Sequence, residues 1–215
     1  MSNGASGASA VVFDFGGVMT TCATPVRVKE IADGAGLPWQ AALDGFARHR
    51  RAYDIGDITV SEFYALTWRD AGVEVDPATE AKIEEADSTS FLHPNMRTLD
   101  WMRSLKGRGF RLGILTNMPR ELAPLFREHF ADFIATADAL VVSSEVRLVK
   151  PMPEIYALVE RRLGVPPAEM AFVDDSPVNC GGAAECGWRP VLFKDNAQAE
   201  SDLEGLLAKI ARPAT

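Results

Sequence analysis

Apolar and polar positions along the chain follow two alternating periods. Short continuous apolar runs, such as Val11-Val12-Phe13 and Gly113-Ile114-Leu115, are typical of strands buried on both faces. Between these runs apolar residues recur every three to four positions, which indicates helices with one buried face. The predicted strands are residues 10–14, 110–116, 140–143, 170–174 and 191–193. This alternation predicts an α/β fold with a Rossmann-like parallel sheet core, covered by helices on both sides.

Residues 20–92 lack the strand pattern and show only helical spacing. The helical periods are clearest in Val26–Ala32, Ala41–Ala52 and Phe63–Ala71. Ser61-Glu62 and Asp76-Pro77 are typical of helix starts, because a side-chain oxygen can cap the first turn and proline fits there. We therefore expect an all-helical domain at 20–92, inserted into an α/β core of residues 10–19 and 93–215.

Composition and charge exclude several classes of protein. The 215 residues carry a formal net charge of −8 and no basic stripe, which argues against a nucleic-acid partner. The short run Arg48-His49-Arg50-Arg51 is typical of a solvated helix face. No apolar stretch approaches the ~20 residues that span a bilayer, so we expect no membrane partner.

The first nine residues and the cysteines indicate the cellular location of the protein. Residues 1–9 have neither a basic segment nor an apolar signal core, and we expect them to form a disordered tail. Cys22, Cys180 and Cys186 are odd in number and lack zinc spacing, which suits reduced thiols. These features predict a cytoplasmic protein.

Polar side chains occur at the ends of three predicted strands and just before one predicted helix. Asp14 follows the first strand, Thr116 ends the second, and Lys150 precedes a helix start. Asp174 and Asp175 end a further strand. Because the carboxyl ends of parallel strands meet at one edge of a sheet, these groups are expected to form a single site. A carboxylate nucleophile, a hydroxyl, a cation and paired acidic metal ligands suit phosphoryl chemistry.

Each of these residues alone has a simpler interpretation. A strand-end aspartate or threonine commonly caps the next turn, a lone lysine is usually on the surface, and paired aspartates can cap a helix. Adjacent carboxylates persist most easily beside a cation, and their hard oxygen atoms favour Mg²⁺. The combination of all four positions makes the functional interpretation the stronger one.

Four motifs resemble those of the haloacid dehalogenase superfamily across nearly the whole chain. They are Val-Phe-Asp-Phe-Gly-Gly-Val at 12–18, Ile-Leu-Thr-Asn at 114–117, Lys150 before Pro-Met-Pro-Glu, and Phe-Val-Asp-Asp-Ser-Pro-Val-Asn at 172–179. The helical segment 20–92 resembles the family's cap domain. It is similar to the caps of sugar-phosphate phosphatases and of the phosphatase domain of soluble epoxide hydrolase.

The resemblance implies a role for each matching residue. Asp14 would be the nucleophile that forms an aspartyl phosphate, and it would also bind the metal. Thr116 would bind the transferring phosphoryl oxygens. Lys150 would screen the charge of the nucleophile and the phosphate.

The remaining matching residues would hold Mg²⁺ and the substrate. Asp175 would bind Mg²⁺ directly, and Asp174 would bind it through water or as a second ligand. The backbone carbonyl of Gly16 would be a further metal ligand. Gly17 and Asn117 would line the side of the substrate, which we expect to be a small phosphorylated metabolite.

Gly16 departs from the pattern of the family's phosphatases, which carry an aspartate as general acid–base at this position. Such a group contributes ~10²–10⁴ in rate. The leading interpretation stays a Mg²⁺-dependent phosphatase, because positioning and metal electrostatics supply most phosphoryl-transfer catalysis. A weakly active or inactive binding module is one alternative. A 2-haloacid dehalogenase-like hydrolase is another, although Asp174 and Asp175 have no evident use in halide release.

The motifs do not specify the leaving group of the substrate. Cap domains close over the site and contact that group. Candidate cap contacts are Arg48, Arg51, Tyr53 and Trp68, each of which is equally typical of helix surface or of the cap interior.

Overall fold

The five predicted strands form one sheet in the computed structural model, which describes residues 10–21 and 24–210. The strands are Ala10–Phe13 (β1), Arg111–Thr116 (β2), Ala139–Val142 (β3), Met170–Asp174 (β4) and Arg189–Leu192 (β5). Their order is β3-β2-β1-β4-β5, and all neighbouring pairs are parallel. The α/β fold with a Rossmann-like parallel core is therefore confirmed. The predicted tail, residues 1–9, lies outside the described residues.

The strand order places the end of β1 at a reversal of the chain. From β1 the chain moves outward to β2 and β3, and it then crosses to β4 on the other side of β1. The carboxyl ends of β1 and β4 lie side by side at this reversal, where open α/β sheets bind their ligands.

Successive strand residues face two apolar clusters on opposite sides of the sheet. Val11, Phe13 and Val173 belong to one cluster, and Val12 and Phe172 belong to the other. Because both faces are buried, the strands read as continuous apolar runs and not as alternating ones.

The described residues contain eleven α-helices. They are Thr24–Gly34 (α1), Trp39–Ile55 (α2), Val60–Asp70 (α3), Pro77–Thr89 (α4), Met96–Gly107 (α5), Ala123–His129 (α6), Ala131–Thr136 (α7), Ser143–Val146 (α8), Pro153–Leu163 (α9), Pro177–Glu185 (α10) and Asn196–Ile210 (α11). A short 3-10 turn, Pro167–Glu169, precedes β4.

Prolines account for two differences from the predicted boundaries. The helix predicted from Pro119 begins at Ala123 instead, because Pro124 occupies the first turn, where a missing N–H is tolerated. The last strand begins at Arg189, two residues earlier than predicted, and it includes Pro190. This strand is at the edge of the sheet, where only one side needs hydrogen bonds.

Helices α1 to α4 share an apolar cluster of their own, which includes Phe63, Trp68 and Ile83. The predicted start of α4 is confirmed, since the Asp76 side chain accepts from the N–H groups of the first turn. The cap of α3 is Thr59 and not Ser61, because Thr59 exchanges hydrogen bonds with Glu62.

The chain enters and leaves this helical segment at one place. Thr20 forms an antiparallel bridge with Pro94, and the Asn95 N–H donates to the carbonyl of Met19 at 2.8 Å. These two contacts lie close to residues 20 and 92, the predicted limits of the helical segment. That this segment is a separate cap domain stays a prediction. No described helix combines the length and the apolar character needed to cross a bilayer.

Candidate active site

A buried lysine connects two buried carboxylates at the centre of the predicted site. Lys150 Nζ lies 2.7 Å from Asp14 Oδ1 and 2.7 Å from Asp174 Oδ2. Asp14 directly follows β1 and Asp174 ends β4, and the parallel pairing of Phe13 with Val173 brings their carboxylates to the same edge. Lys150 reaches them from the loop before α9. The structure therefore brings these three predicted residues together.

Burial sets the ionisation of this cluster. Burial raises the pKa of Asp14 to about 7, although the charge of Lys150 opposes the shift. Burial lowers the pKa of Lys150, but the charges of Asp14 and Asp174 outweigh it, so that its pKa lies above the ordinary value. The ammonium group therefore stays charged, and Asp14 exchanges its proton near neutral pH.

Asp174 is held by the first turn of α10. Its Oδ1 accepts from the Ser176 N–H at 2.8 Å, and both of its oxygens accept from Asn179 Nδ2 at 3.1 Å. Asn179 belongs to the fourth motif but is not among the predicted site residues. Its position five residues after Asp174, on the first turn of a helix, is the sequence signal that could have identified it.

Asp175 is exposed and lies against Gly17. A Cβ atom at Gly17 would approach Asp175 Oδ2 to 2.2 Å, and Gly17 has a φ of +72°. The positive φ favours glycine here, and a larger residue would also displace the Asp175 side chain. Partial burial and the neighbouring charge of Asp174 raise the pKa of Asp175.

The three acidic residues are close enough to share a cation. Oxygen atoms of Asp14, Asp174 and Asp175 all lie within 4.8 Å of one another. Carboxylate oxygens are the ligands that Mg²⁺ prefers, at about 2.0–2.1 Å from the ion. The donor set therefore fits Mg²⁺.

Asn117 fixes the loop that carries Lys150. Its Nδ2 donates to the Lys150 carbonyl at 3.1 Å, and its Oδ1 accepts from the Lys150 N–H at 2.8 Å. Asn117 also lines the cavity at the site, and its place on the substrate side stays a prediction. Thr116 ends β2 and is 1% exposed, and it does not line that cavity.

A cavity of about 520 Å³ opens above the acidic cluster. Its lining residues are Asp14, Gly16, Gly17, Arg50, Asp54, Asn117, Lys150, Asp175, Ser176 and Asn179. Arg50 and Asp54 come from α2, and Arg50 Nε donates to both Asp54 oxygens at 2.9 Å. Sequence analysis missed this pair. The spacing of an arginine and an aspartate four residues apart on one helix face is the signal that could have found it.

The four predicted cap contacts lie in different places. Arg51 lines a neighbouring cavity together with Lys150, and Tyr53 lines an apolar cavity next to the site. Arg48 lies away from these cavities, where its Nη1 is 2.5 Å from Asp70 Oδ2. Trp68 is buried in the helical cluster.

Comparison with known proteins identifies the family. Residues 8–187 match the model of a hydrolase family described as haloacid dehalogenase-like hydrolase. Bifunctional epoxide hydrolase 2 of Rattus norvegicus is 30% identical over 113 residues, which is 51% of this chain and 20% of that protein. Phosphoglycolate phosphatase of Escherichia coli K12 is 32% identical over 106 residues, which is 48% of this chain and 40% of that protein. The matches thus span less than half of these curated relatives.

Solved structures share the fold. One is an enzyme of this family from Bacteroides thetaiotaomicron in complex with magnesium and inorganic phosphate, with a TM-score of 0.67, 22% identity and coverage of 86% of this chain and 94% of that one. Another is the L-2-haloacid dehalogenase of Xanthobacter autotrophicus with chloropropionic acid covalently bound, with a TM-score of 0.60, 24% identity and coverage of 94% and 85%. Since the family model matches most of its length, the chain belongs to the haloacid dehalogenase-like hydrolases.

Proposed function

We propose that the protein is a Mg²⁺-dependent phosphatase that hydrolyses a small phosphorylated metabolite through an aspartyl phosphate on Asp14. The observation that carries this proposal is the buried Asp14–Lys150–Asp174 cluster with Asp175 beside it. Similarity to a phosphoglycolate phosphatase, and to an enzyme whose structure contains magnesium and inorganic phosphate, supports the same chemistry.

Asp14 acts as the nucleophile in this mechanism. Its Oδ1 accepts from Lys150, which leaves Oδ2 to attack phosphorus while the bond from phosphorus to the ester oxygen breaks and the leaving oxygen takes a proton from solvent water to depart as the alcohol. A water molecule then attacks the phosphorus of the aspartyl phosphate and gives its proton to solvent. The bond between phosphorus and Asp14 Oδ2 breaks, which releases inorganic phosphate and restores the carboxylate. Lys150 stays charged throughout and offsets the negative charge of Asp14 and the phosphoryl group.

Asp14, Asp174, Asp175 and the carbonyl of Gly16 are the proposed ligands of Mg²⁺. The ion would supply positive charge that stabilises the phosphoryl oxygens in the transition state. The hydrogen bonds from Ser176 and Asn179 hold Asp174 in place for this task. Gly17 and Asn117, which line the cavity, are the proposed boundary of the substrate. The family resemblance proposes Thr116 as the partner of the phosphoryl oxygens, although Thr116 does not line that cavity in this structure.

Gly16 favours a second candidate function. Without an acid–base at this position, the protein would be a catalytically weak binding module, or a 2-haloacid dehalogenase-like hydrolase, which needs no such group. The dehalogenase with covalently bound chloropropionic acid shares the fold. The carboxylates of Asp174 and Asp175 oppose this second reaction, because displacement of a halide needs no cation site.

Phosphate release from a panel of phosphate monoesters, measured with Mg²⁺ and with EDTA, tests the proposal. We expect turnover that requires Mg²⁺, and no halide release from 2-chloropropionate. If the folded protein releases no phosphate from any ester, the phosphatase proposal is wrong. Halide release would then assign the dehalogenase reaction, and its absence would assign the binding module.

A further inference from the structure

A second cavity adjoins the proposed active site and has an apolar wall. It has a volume of about 330 Å³ and lies between helices α1 to α4 and the loops after β1 and β2. Six aromatic residues contribute to its lining: Phe15, Trp39, Phe46, Tyr53, Tyr64 and Phe91. Leu43 is the most exposed of the apolar lining residues at 38%, so it marks the outer end of the cavity.

The two cavities adjoin one another and share part of their walls. Gly16, Arg50 and Asn117 line both of them. A ligand with its phosphoryl group at Asp14 can therefore extend past these residues into the apolar cavity.

Arg50 has donors available for an anion at this junction. Its Nε is held by Asp54, while Nη1 and Nη2 make no hydrogen bond within the described part of the chain. A guanidinium with free Nη groups can donate to phosphate oxygens in the bidentate manner. The junction thus suits the charged end of a substrate, and the cavity beyond it suits an apolar end.

We propose that this cavity binds the leaving group of the substrate, and that this group is an apolar alcohol of about one aromatic ring or an aliphatic chain of similar size. The inference rests on the proposed phosphatase function and specifies its substrate class. An engineered apolar cavity of about 150 Å³ binds benzene, so that 330 Å³ is sufficient for a ring with a substituent.

The polar groups of the wall argue against a sugar. Beyond Arg50 and Asn117 at the junction, the polar groups of the wall are Asp87 and two tyrosine hydroxyls, and Asp87 already accepts from the Tyr53 hydroxyl at 2.7 Å. The apolar part of the wall therefore offers few partners to the several hydroxyls of a sugar. Each unsatisfied buried hydroxyl weakens binding, and each buried methylene strengthens it by about fourfold.

Calorimetric titration with benzylphosphonate and methylphosphonate tests this inference in the presence of Mg²⁺. We expect benzylphosphonate to bind at least about tenfold more tightly, because the ring fills the cavity. Leu43→Trp would narrow the outer end and Leu43→Glu would place a charge there. Either change is expected to remove most of the preference while leaving the affinity for methylphosphonate within about twofold. Met96→Trp is the matched control, since Met96 is 53% exposed and lies outside the cavity.

The outcomes separate this inference from the proposed function, because phosphonates are not hydrolysed. The inference would be overturned if the two phosphonates bound equally well or if neither bound. It would also be overturned if the benzyl preference survived both Leu43 substitutions in folded protein. Ester hydrolysis without a benzyl preference would leave the phosphatase proposal standing alone. A benzyl preference without any ester hydrolysis would show that the cavity binds an apolar group, and it would reject both the phosphatase and the assignment of that group as a leaving group.

Discussion

At the scale of single residues, Lys150 is the group on which the site depends most. It is 4% exposed and pairs with two carboxylates that are themselves buried. Removing one partner from a buried ion pair leaves uncompensated charge, which is far more costly than losing a surface pair. Lys150 therefore contributes both to the stability of the fold and to the electrostatics of the site.

Lys150→Met is expected to lower the free energy of unfolding by about 3–5 kcal/mol, because Asp14 and Asp174 would be left without their cation. Urea denaturation measures this loss. Lys106→Met is the matched control, since Lys106 pairs with Asp138 at the surface and such pairs contribute about 1 kcal/mol or less. Equal effects of the two substitutions would contradict the role of Lys150.

Asp14 makes Mg²⁺ binding dependent on pH. Its pKa is raised by burial to about 7, so the carboxylate is increasingly protonated as the pH falls below that value. Because a ligand must lose its proton to bind a metal, we expect the Kd for Mg²⁺ to be roughly tenfold weaker at about pH 6 than at about pH 8. Isothermal calorimetry measures both values. Asp14→Asn should remove most of the difference, and an unchanged Kd in the wild type would refute this assignment.

Gly16 offers a test of the missing acid–base. A Cβ atom there would meet nothing within 4 Å, and its backbone is not among the positive-φ glycines. Gly16→Asp is therefore expected to fold and to raise kcat for alkyl phosphates by about 10²-fold, since these poor leaving groups need a proton. Gly16→Asn provides the side-chain volume without the acid. A similar rate in both variants would show that proton transfer does not limit turnover.

At the scale of elements, helix α2 brings Arg50 and Asp54 to a site that is otherwise built on the sheet. The sequence shows that Arg50 and Asp54 are one helical turn apart. Surface pairs such as Lys29 and Asp33 have the same spacing, so the spacing alone does not identify a site. Only the packing of α2 against α3 and α8 distinguishes them, because tertiary contacts decide which helix face is covered. That information is not present in a local pattern.

Arg50→Ala is expected to lower kcat/KM for phosphate esters by at least about tenfold, because a charge-assisted pair of hydrogen bonds to phosphate would be lost. Arg48→Ala is the matched control from the same helix. Arg48 pairs with Asp70 away from the cavities, and its loss should change kcat/KM by less than about twofold. Steady-state kinetics on one ester decide between the two, and equal effects would remove Arg50 from the site.

The elements themselves were largely predictable. Apolar runs identified all five strands, because a sheet buried on both faces is built mainly from apolar residues, although the edge strand β5 begins at the half-buried Arg189. The helix boundaries near Pro124 and the short α7 were not predictable, since local spacing does not show where tertiary packing interrupts a helix. Element boundaries depend on such contacts more than element types do.

At the scale of the whole molecule, the sheet order explains why distant residues form one site. Asp14, Lys150 and Asp174 are far apart in sequence, yet β1 and β4 are neighbours and Lys150 lies in a loop beside them. The strand-end rule was enough to predict this convergence. The volume and apolar wall of the adjoining cavity were not predictable, because they arise between helices α1 to α4 and the sheet loops.

The central claim is that Asp14 is the nucleophile of a Mg²⁺-dependent phosphatase, and the turnover of Asp14→Asn tests it most directly. Phosphate release by this variant and by the wild type is compared with saturating Mg²⁺, on protein whose urea midpoints show that both are folded. We expect a loss on the order of 10³-fold or more, as is found when a catalytic nucleophile is removed. Activity within tenfold of the wild type would contradict the account.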